Sequence, residues 1–370
     1  METIIICKTC LMPSSRPRIE FDINGICNAC NYQKKKELID WKERQSQFED
    51  LCNEHRSKDG SYDCIVPWSG GKDSSSIAYK LKHVFKMNPL LTTFSPLIPS
   101  EIGKINRELL LNTGFDNYFF RPDQKISKYL SKRFFIERGN PKVHWDAGVN
   151  TFPVRVALEK NIKLIFYAEH GESEYGGKVL EKDSDKIRDV SEVLENQIGD
   201  DPNNWEDEFV NKNDLNMYKY PSTEKLSEKK ISAYYFSYFF RWDIYENFKY
   251  VKKKFNFQQS NERISGTFQN YDSMDDHIDP IYYYMQYIKF GFGRCLRDTS
   301  RLLQHNHLDR KTALDYIKKY DGEFPDRVLD QCLNYMSIDL LEFNEIIEKH
   351  KNKEIWELKG NKNKLKFNIT

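Results

Sequence analysis

With 370 residues the chain has room for two or three domains, and 39% hydrophobic with 31% charged residues is a soluble, globular balance rather than a disordered one. Its 57 basic and 56 acidic residues nearly cancel to a net +1, which counts against a dedicated DNA or RNA binder. No apolar run is long enough for a membrane helix, and Met1–Cys7 lacks the basic stretch of a signal peptide, so a cytoplasmic location is expected.

Cys7-Lys8-Thr9-Cys10 and Cys27-Asn28-Ala29-Cys30 are two C-x-x-C pairs with 16 residues between them, the spacing of a four-thiolate zinc site. A two-residue spacer lets both sulfurs of a pair reach one tetrahedral ion from a tight turn, and Gly25 supplies the flexibility that turn needs. Four thiolates close the coordination shell, which points to a structural metal that folds a segment too short to build its own core. A disulfide framework fits a cytosolic chain poorly. Cys52, Cys64, Cys295 and Cys332 lack the spacing and are expected as buried thiols. Residues 32–56 read as one charged amphipathic helix built on Leu38, Trp41, Phe48 and Leu51. Lys58-Asp59-Gly60-Ser61 then marks a boundary, which divides the chain into 1–57, 58–177 and 178–370.

Short apolar runs and helical patterns alternate through the middle segment. Strands are predicted over 62–68, 90–94, 117–120 and 163–168, with helices over 74–85, 101–112, 127–137 and 151–159. The alternation implies an α/β fold with a doubly wound parallel sheet, whose ligands lie beyond the carboxyl ends of the strands. After about Gly176 the texture changes: 178–229 is polar and charge-rich, and from Ile231 the patterns are helical and aromatic. The tail, 359–364, is basic and expected to fray. Aromatic residues reach 14% of the chain, concentrated between Tyr234 and Phe292, and are expected mainly as core.

The loop Ser69-Gly70-Gly71-Lys72-Asp73-Ser74 lies between a buried strand and a helix. Two glycines let backbone approach an anion, and the helix start offers free N–H groups and a favourable dipole. Ser69 and Ser74 add hydroxyl donors and Lys72 a positive charge. Asp73 would repel a phosphate unless it carries Mg²⁺. This is not the longer Walker-type loop of γ-phosphate chemistry; a shorter loop, if it holds a pyrophosphate, leaves the α-phosphorus open to attack, and the alternative is a Gly-Gly turn with polar decoration. Phe94, the last residue of the second strand, is counted with these nucleotide-binding candidates.

Ser69–Ser74 resembles the SGGxDS signature of PP-loop ATP pyrophosphatases. That resemblance implies binding of ATP, attack of a carbonyl oxygen on the α-phosphorus, loss of pyrophosphate, and displacement of AMP by a nucleophile. More of the chain, from Cys7 to about Phe343, is similar to the N-acetyl sugar amidotransferases of surface-polysaccharide and flagellin-sugar pathways. The likeness rests on Cys7-Lys8-Thr9-Cys10-Leu11-Met12-Pro13, Gly25-Ile26-Cys27-Asn28-Ala29-Cys30, Trp145-Asp146-Ala147-Gly148 and Glu169-His170-Gly171-Glu172. It continues through Phe240-Arg241-Trp242-Asp243, Tyr284-Met285 and Lys289-Phe290-Gly291-Phe292-Gly293-Arg294. It implies that an acetamido sugar, of pseudaminic-acid or O-antigen type, becomes an acetamidino sugar.

Glu169 and Glu172, after the fourth strand, are candidates to hold Mg²⁺ or accept protons from ammonia. His170 is expected to be a hydrogen-bonding residue rather than a catalyst. Asp146, Arg241, Asp243, Lys289 and Arg294 are candidates for substrate contact. For Arg241 and Asp243, placed on an aromatic helix, a structural ion pair is the equal alternative. For the Lys289–Arg294 stretch the alternative is a glycine-broken helix end with solvated charges. No cysteine stands in a nucleophile elbow, so ammonia is expected from a separate glutaminase subunit. The competing reading is a PP-loop tRNA-modifying enzyme, which would want a basic face and a reactive cysteine pair.

Overall fold

A computed structural model describes residues 3–178, 185–359 and 362–369. Five strands form one parallel sheet: β1 (Cys64–Pro67), β2 (Pro89–Phe94), β3 (Asp116–Phe120), β4 (Leu164–Tyr167) and β5 (Ser232–Tyr235), in the order β3-β2-β1-β4-β5. Alternate residues of each inner strand point to opposite faces, as a pleated strand requires. Cys64, Val66, Leu91, Leu164 and Phe166 enter one apolar layer with Phe48, Ile77, Leu81, Phe236 and Phe248. Ile65, Leu90, Phe94 and Ile165 enter the other, with Phe134, Ala147, Phe152, Trp205 and Tyr218. Both faces are covered, so the strands read as continuous apolar runs.

Capping explains where several helices begin and end. The expected single helix over 32–56 is two, α1 (Asn28–Lys36) and α2 (Trp41–Glu54). The Asp40 carboxylate accepts from the N–H groups of Lys42 and Glu43 (3.0 and 3.1 Å), so the chain restarts there. After β1 comes α3 (Lys72–Tyr79), then α4 (Glu101–Leu111), α5 (Gln124–Arg138) and α6 (Val143–Lys160). The last begins eight residues before the expected 151 and carries Pro153 inside it. It ends at Asn161 in the left-handed region, as α5 ends at Gly139.

The aromatic run after Ile231 is corrected: Ser232–Tyr235 is an edge strand, paired Leu164↔Ser232 through Tyr167↔Tyr235 with β4. The helical part of the run starts only at Phe236, with the turn Phe236–Phe239 followed by the helices Ile244–Phe255 and Asp279–Phe290. The segment after Gly176 is packed rather than peripheral, since Val193, Trp205, Val210, Leu215 and Tyr218 are buried against α5 and α6. Residues 179–184 of it lie outside the described residues. The helices Asp279–Phe290, Asp326–Met336 and Leu340–His350 form a third apolar cluster with Phe135. The expected frayed tail forms an antiparallel ribbon, Trp356–Lys359 with Lys362–Leu365, while Gly360 and Asn361 lie outside the described residues. Among the described residues no helix is long and apolar enough to cross a membrane.

The cysteine segment packs on the C-terminal helices. Cys7, Cys10, Leu11, Cys27 and Cys30 share an apolar cluster with Phe292, Leu296, Ala313 and Ile317. The Ser300 hydroxyl donates to the carbonyl of Cys10 at 2.7 Å. On its other side Lys36, from α1, forms a buried ion pair with Glu174.

Candidate functional site

In a sheet of order β3-β2-β1-β4-β5 the chain reverses direction of travel between β1 and β4, and a crevice opens at their carboxyl ends. A cleft of about 880 Å³ lies there. Its walls include Ser69, Gly71, Lys72, Asp73 and Ser74 from the glycine loop, Asp146 from α6, Glu172 after β4, and Asp272 and Lys289 from the C-terminal region.

Gly70 has φ +98°, and a Cβ there would lie 2.5 Å from Arg107 Cγ, so both conformation and space demand glycine. Gly71 caps the start of α3, which aims its free N–H groups at the cleft. Lys72 is buried, with Nζ 2.8 Å from Asp73 Oδ2 and 2.6 Å from Asp272 Oδ1. Burial alone would lower its pKa, but Asp272 and then Asp73 hold it above the ordinary lysine value. The other oxygen of Asp73 accepts from Asn247 Nδ2 at 3.0 Å. Asp272 is held below the usual carboxylate range: burial opposes this, but Lys72 and then Arg294, Arg301 and Arg297 outweigh it.

Just behind the cleft wall, between the lining residues Ala168 and Gly171, Glu169 accepts from the Tyr175 hydroxyl at 3.0 Å. Burial, and then the negative charge of Asp73, push its carboxyl up to about 7. A buried carboxyl raised in this way beside the negative charge of Asp73 is an arrangement that a divalent cation would relieve. Asp146 is also pushed up to about 7, by burial, against the opposing pull of Lys142.

Other predicted residues are engaged elsewhere. Glu172 is bound bidentately by Arg18 (2.6 and 3.0 Å) at the rim. His170 is buried between Ser173, at 2.6 Å from Nδ1, and Glu192 at Nε2, as a structural crosslink. Phe94 lies in the apolar layer, against Gly148, where a Cβ would come 2.3 Å from its ring. Arg241 and Asp243 are not on an aromatic helix: Asp243 caps the helix Ile244–Phe255 from outside, accepting from Tyr245 and Glu246 N–H, and binds His307 Nε2 at 2.7 Å. Arg241 pairs with Glu37 on the surface. Neither is brought to the cleft. Lys289 reaches it but donates to the carbonyl of Arg138 at 2.8 Å. Gly291, φ +74°, ends the helix Asp279–Phe290, and Gly293 caps the helix Arg294–Gln304. Arg294 is buried beneath the cleft, with Nε 2.9 and 3.1 Å from the two Asp298 oxygens. Its NH2 is 3.4 Å from Asp272, near enough for attraction though not aligned as a hydrogen bond.

Sequence reasoning missed Asp272, Asp275 and the arginines Arg16, Arg297 and Arg301, all on the cleft wall. The signals were present as the acid-dense run from Asp272 to Asp279 and as the spacing Arg294, Arg297, Arg301 on one helical face.

The four cysteines meet. Sγ of Cys7 and Cys30 are 3.8 Å apart, those of Cys10 and Cys27 3.6 Å, and all four lie within 4.8 Å. Thiolates at about 2.3 Å from a tetrahedral zinc are about 3.8 Å from one another, so the set fits that ion. Gly25 turns at φ +76°, and Lys8 N–H donates to its carbonyl at 3.1 Å.

A search of curated proteins returns no match. Residues 228–368 match the family model described as LPS biosynthesis protein WbpG-like, C-terminal domain. The C-terminal region, which supplies Asp272 and the arginine-bearing helix to the cleft, is therefore similar to a domain of lipopolysaccharide biosynthesis proteins.

Proposed function

We propose that the chain is an ATP-dependent amidotransferase that converts an acetamido group of a sugar to an acetamidino group, forming AMP and pyrophosphate. The observation that carries this reading is the Ser69–Ser74 loop at the start of α3, opening into the cleft between β1 and β4 with Lys72 clamped beside it. A short anion-gripping turn there favours retention of pyrophosphate and leaves the α-phosphorus accessible. The acetamido oxygen attacks that phosphorus and pyrophosphate departs. Ammonia then adds to the same carbon, AMP leaves with the oxygen, and a proton is released. Adenylate is a far better leaving group than an amide oxygen, and this difference is what ATP supplies.

Lys72 neutralises phosphate charge, while Asp73 and Glu169 would hold Mg²⁺, which supplies further charge neutralisation when bound. Asp146, pushed to about 7, is suited to receive the proton from ammonia. The lipopolysaccharide-biosynthesis likeness of residues 228–368 supports a sugar as acceptor. The cysteines support ammonia from a separate glutaminase. Four are gathered in the metal-type cluster, and burial pushes up the thiols of Cys52, Cys64, Cys295 and Cys332, which leaves no activated nucleophile. The same inert thiols weigh against sulfur transfer to tRNA.

The test supplies ATP, Mg²⁺, ammonium and N-acetylated sugars. It looks for AMP together with the mass loss that exchange of oxygen for NH implies. AMP without a change in any acetamido sugar would reject the acceptor. Glutamine hydrolysis by the chain alone would reject the separate ammonia source.

A further inference from the structure

The glycine loop and its carboxylates leave a set of cations in the same cleft without a role. Arg16 comes from the cysteine segment, and Arg297 and Arg301 sit one turn apart on the helix Arg294–Gln304. Each is fixed by a partner without full negative charge. Arg16 Nε donates to the carbonyl of Gly176 at 3.2 Å. Arg297 bonds the Tyr283 hydroxyl, with its guanidinium 4.7 Å from that ring centre. Arg301 stacks on Tyr175 at 3.7 Å. None of the three forms an ion pair with a carboxylate among the described residues.

Their neighbours behave differently. Arg18 is bidentate on Glu172, and Arg294 is held by Asp298. Arg301 is only 8% exposed, and its Nε has no hydrogen-bond partner. Asp272, whose charge acts on Arg297 and Arg301, is already in contact with Lys72 at 2.6 Å. Burial, and then Arg301 and Arg297, push Arg16 down to about 10, so the cations repel one another. Guanidinium groups stay charged under these conditions, and planar forks with spare N–H donors bind carboxylate or phosphate in pairs of hydrogen bonds. A cationic trio of this kind, with Arg301 buried and Arg16 and Arg297 half-buried, is stabilised when an oxyanion enters.

We propose that Arg16, Arg297 and Arg301 form a second anion subsite in the cleft, built from residues outside the glycine loop, which binds an oxyanion (carboxylate or phosphate) carried by the acceptor molecule. It rests on the proposed reaction only in naming the acceptor rather than the nucleotide as the bearer. One of its walls is the cysteine segment, which gives that segment a part in substrate choice as well as in folding.

Calorimetric titration of the full zinc-loaded chain tests it with four probes: N-acetylneuraminic acid for the carboxylate, N-acetylglucosamine 1-phosphate for the phosphate, neutral N-acetylglucosamine, and ATP with Mg²⁺. At least one charged sugar should bind about tenfold or more tighter than the neutral one. Arg16→Gln and Arg301→Gln should each abolish that preference while leaving ATP affinity within about twofold. Whichever charged sugar shows the preference identifies the oxyanion. Arg16→Lys, which keeps the charge but not the fork, should restore part of it, and that separates charge recognition from damage to the fold. A preference that is absent, or that survives both substitutions, overturns the subsite. Loss of ATP affinity by more than about tenfold in the variants reassigns the arginines to the nucleotide and also overturns it. Because binding is read without turnover, failure to form AMP elsewhere would leave this result standing.

Discussion

Replacing Asp272 by Asn probes the charge arrangement on which the cleft depends. Lys72 Nζ is buried and lies 2.6 Å from Asp272 and 2.8 Å from Asp73. At an effective dielectric of about 20 the attraction across the shorter pair is about 6 kcal/mol, and desolvation of both ions offsets roughly half of it. Asn keeps the shape and one acceptor oxygen, so the variant should lose about 3 kcal/mol of stability at neutral pH. Asp272 sits below the usual carboxylate range, so its contribution is complete above the unfolded value of about 4 and disappears as pH falls through the folded value. Urea denaturation of wild type and variant should therefore show a gap at about pH 7 that closes on acidification. AMP formation should also fall, since Lys72 would then turn to Asp73 instead of phosphate. Equal stability at pH 7, or a gap that widens in acid, would refute this account of the Lys72 environment.

Lys72→Ala and Asp73→Ala should each abolish AMP formation with zinc content unchanged; an active Asp73→Ala enzyme would remove the magnesium role. Glu169, raised from 4.5 to about 7, binds a proton in the fold across a range where the unfolded chain is charged, so it costs stability as pH climbs through that range. Glu169→Gln should accordingly stabilise the magnesium-free chain by up to about 3 kcal/mol near pH 8, leave it little changed near pH 4, and block AMP formation; thermal denaturation at the two pH values checks the sign. Gly148→Ala drives a methyl to 2.3 Å from the Phe94 ring and should lower stability by about 1–3 kcal/mol, read as a drop in the melting temperature. Cys27→Ser should lose zinc and precipitate before chemistry can be assayed; a folded, zinc-free and inactive variant would argue against a structural metal.

The sequence carried the features that depend on local chemistry. The three inner strands are apolar runs because both faces of the sheet are covered there, and the glycine loop is visible because its turn needs Gly70 at φ +98°. The cysteine spacing likewise announces its cluster. What escaped depends on contacts distant in the chain. Apolar residues at helical spacing run across residues 32–56, so the break at Asp40 shows only in its capping bonds. Edge strand β5 has half-exposed residues and aromatic side chains that suit strand or helix equally. Asp272 reads as one acid among several until Lys72, two hundred residues earlier in the chain, meets it. Arg241 and Asp243 belong to the family-like stretch Phe240–Asp243, yet a surface ion pair and helix capping account for them, the structural alternative that stood beside substrate contact.

The central claim is that the acetamido oxygen is transferred to the α-phosphorus of ATP. An N-acetylated sugar labelled with oxygen-18 in its acetyl carbonyl, incubated with the chain, ATP, Mg²⁺ and ammonium, tests it directly. Mass spectrometry should find the label in AMP, in equal amount to the amidine formed and to unlabelled pyrophosphate. Label retained in the sugar, or ADP and phosphate as the nucleotide products, would contradict it.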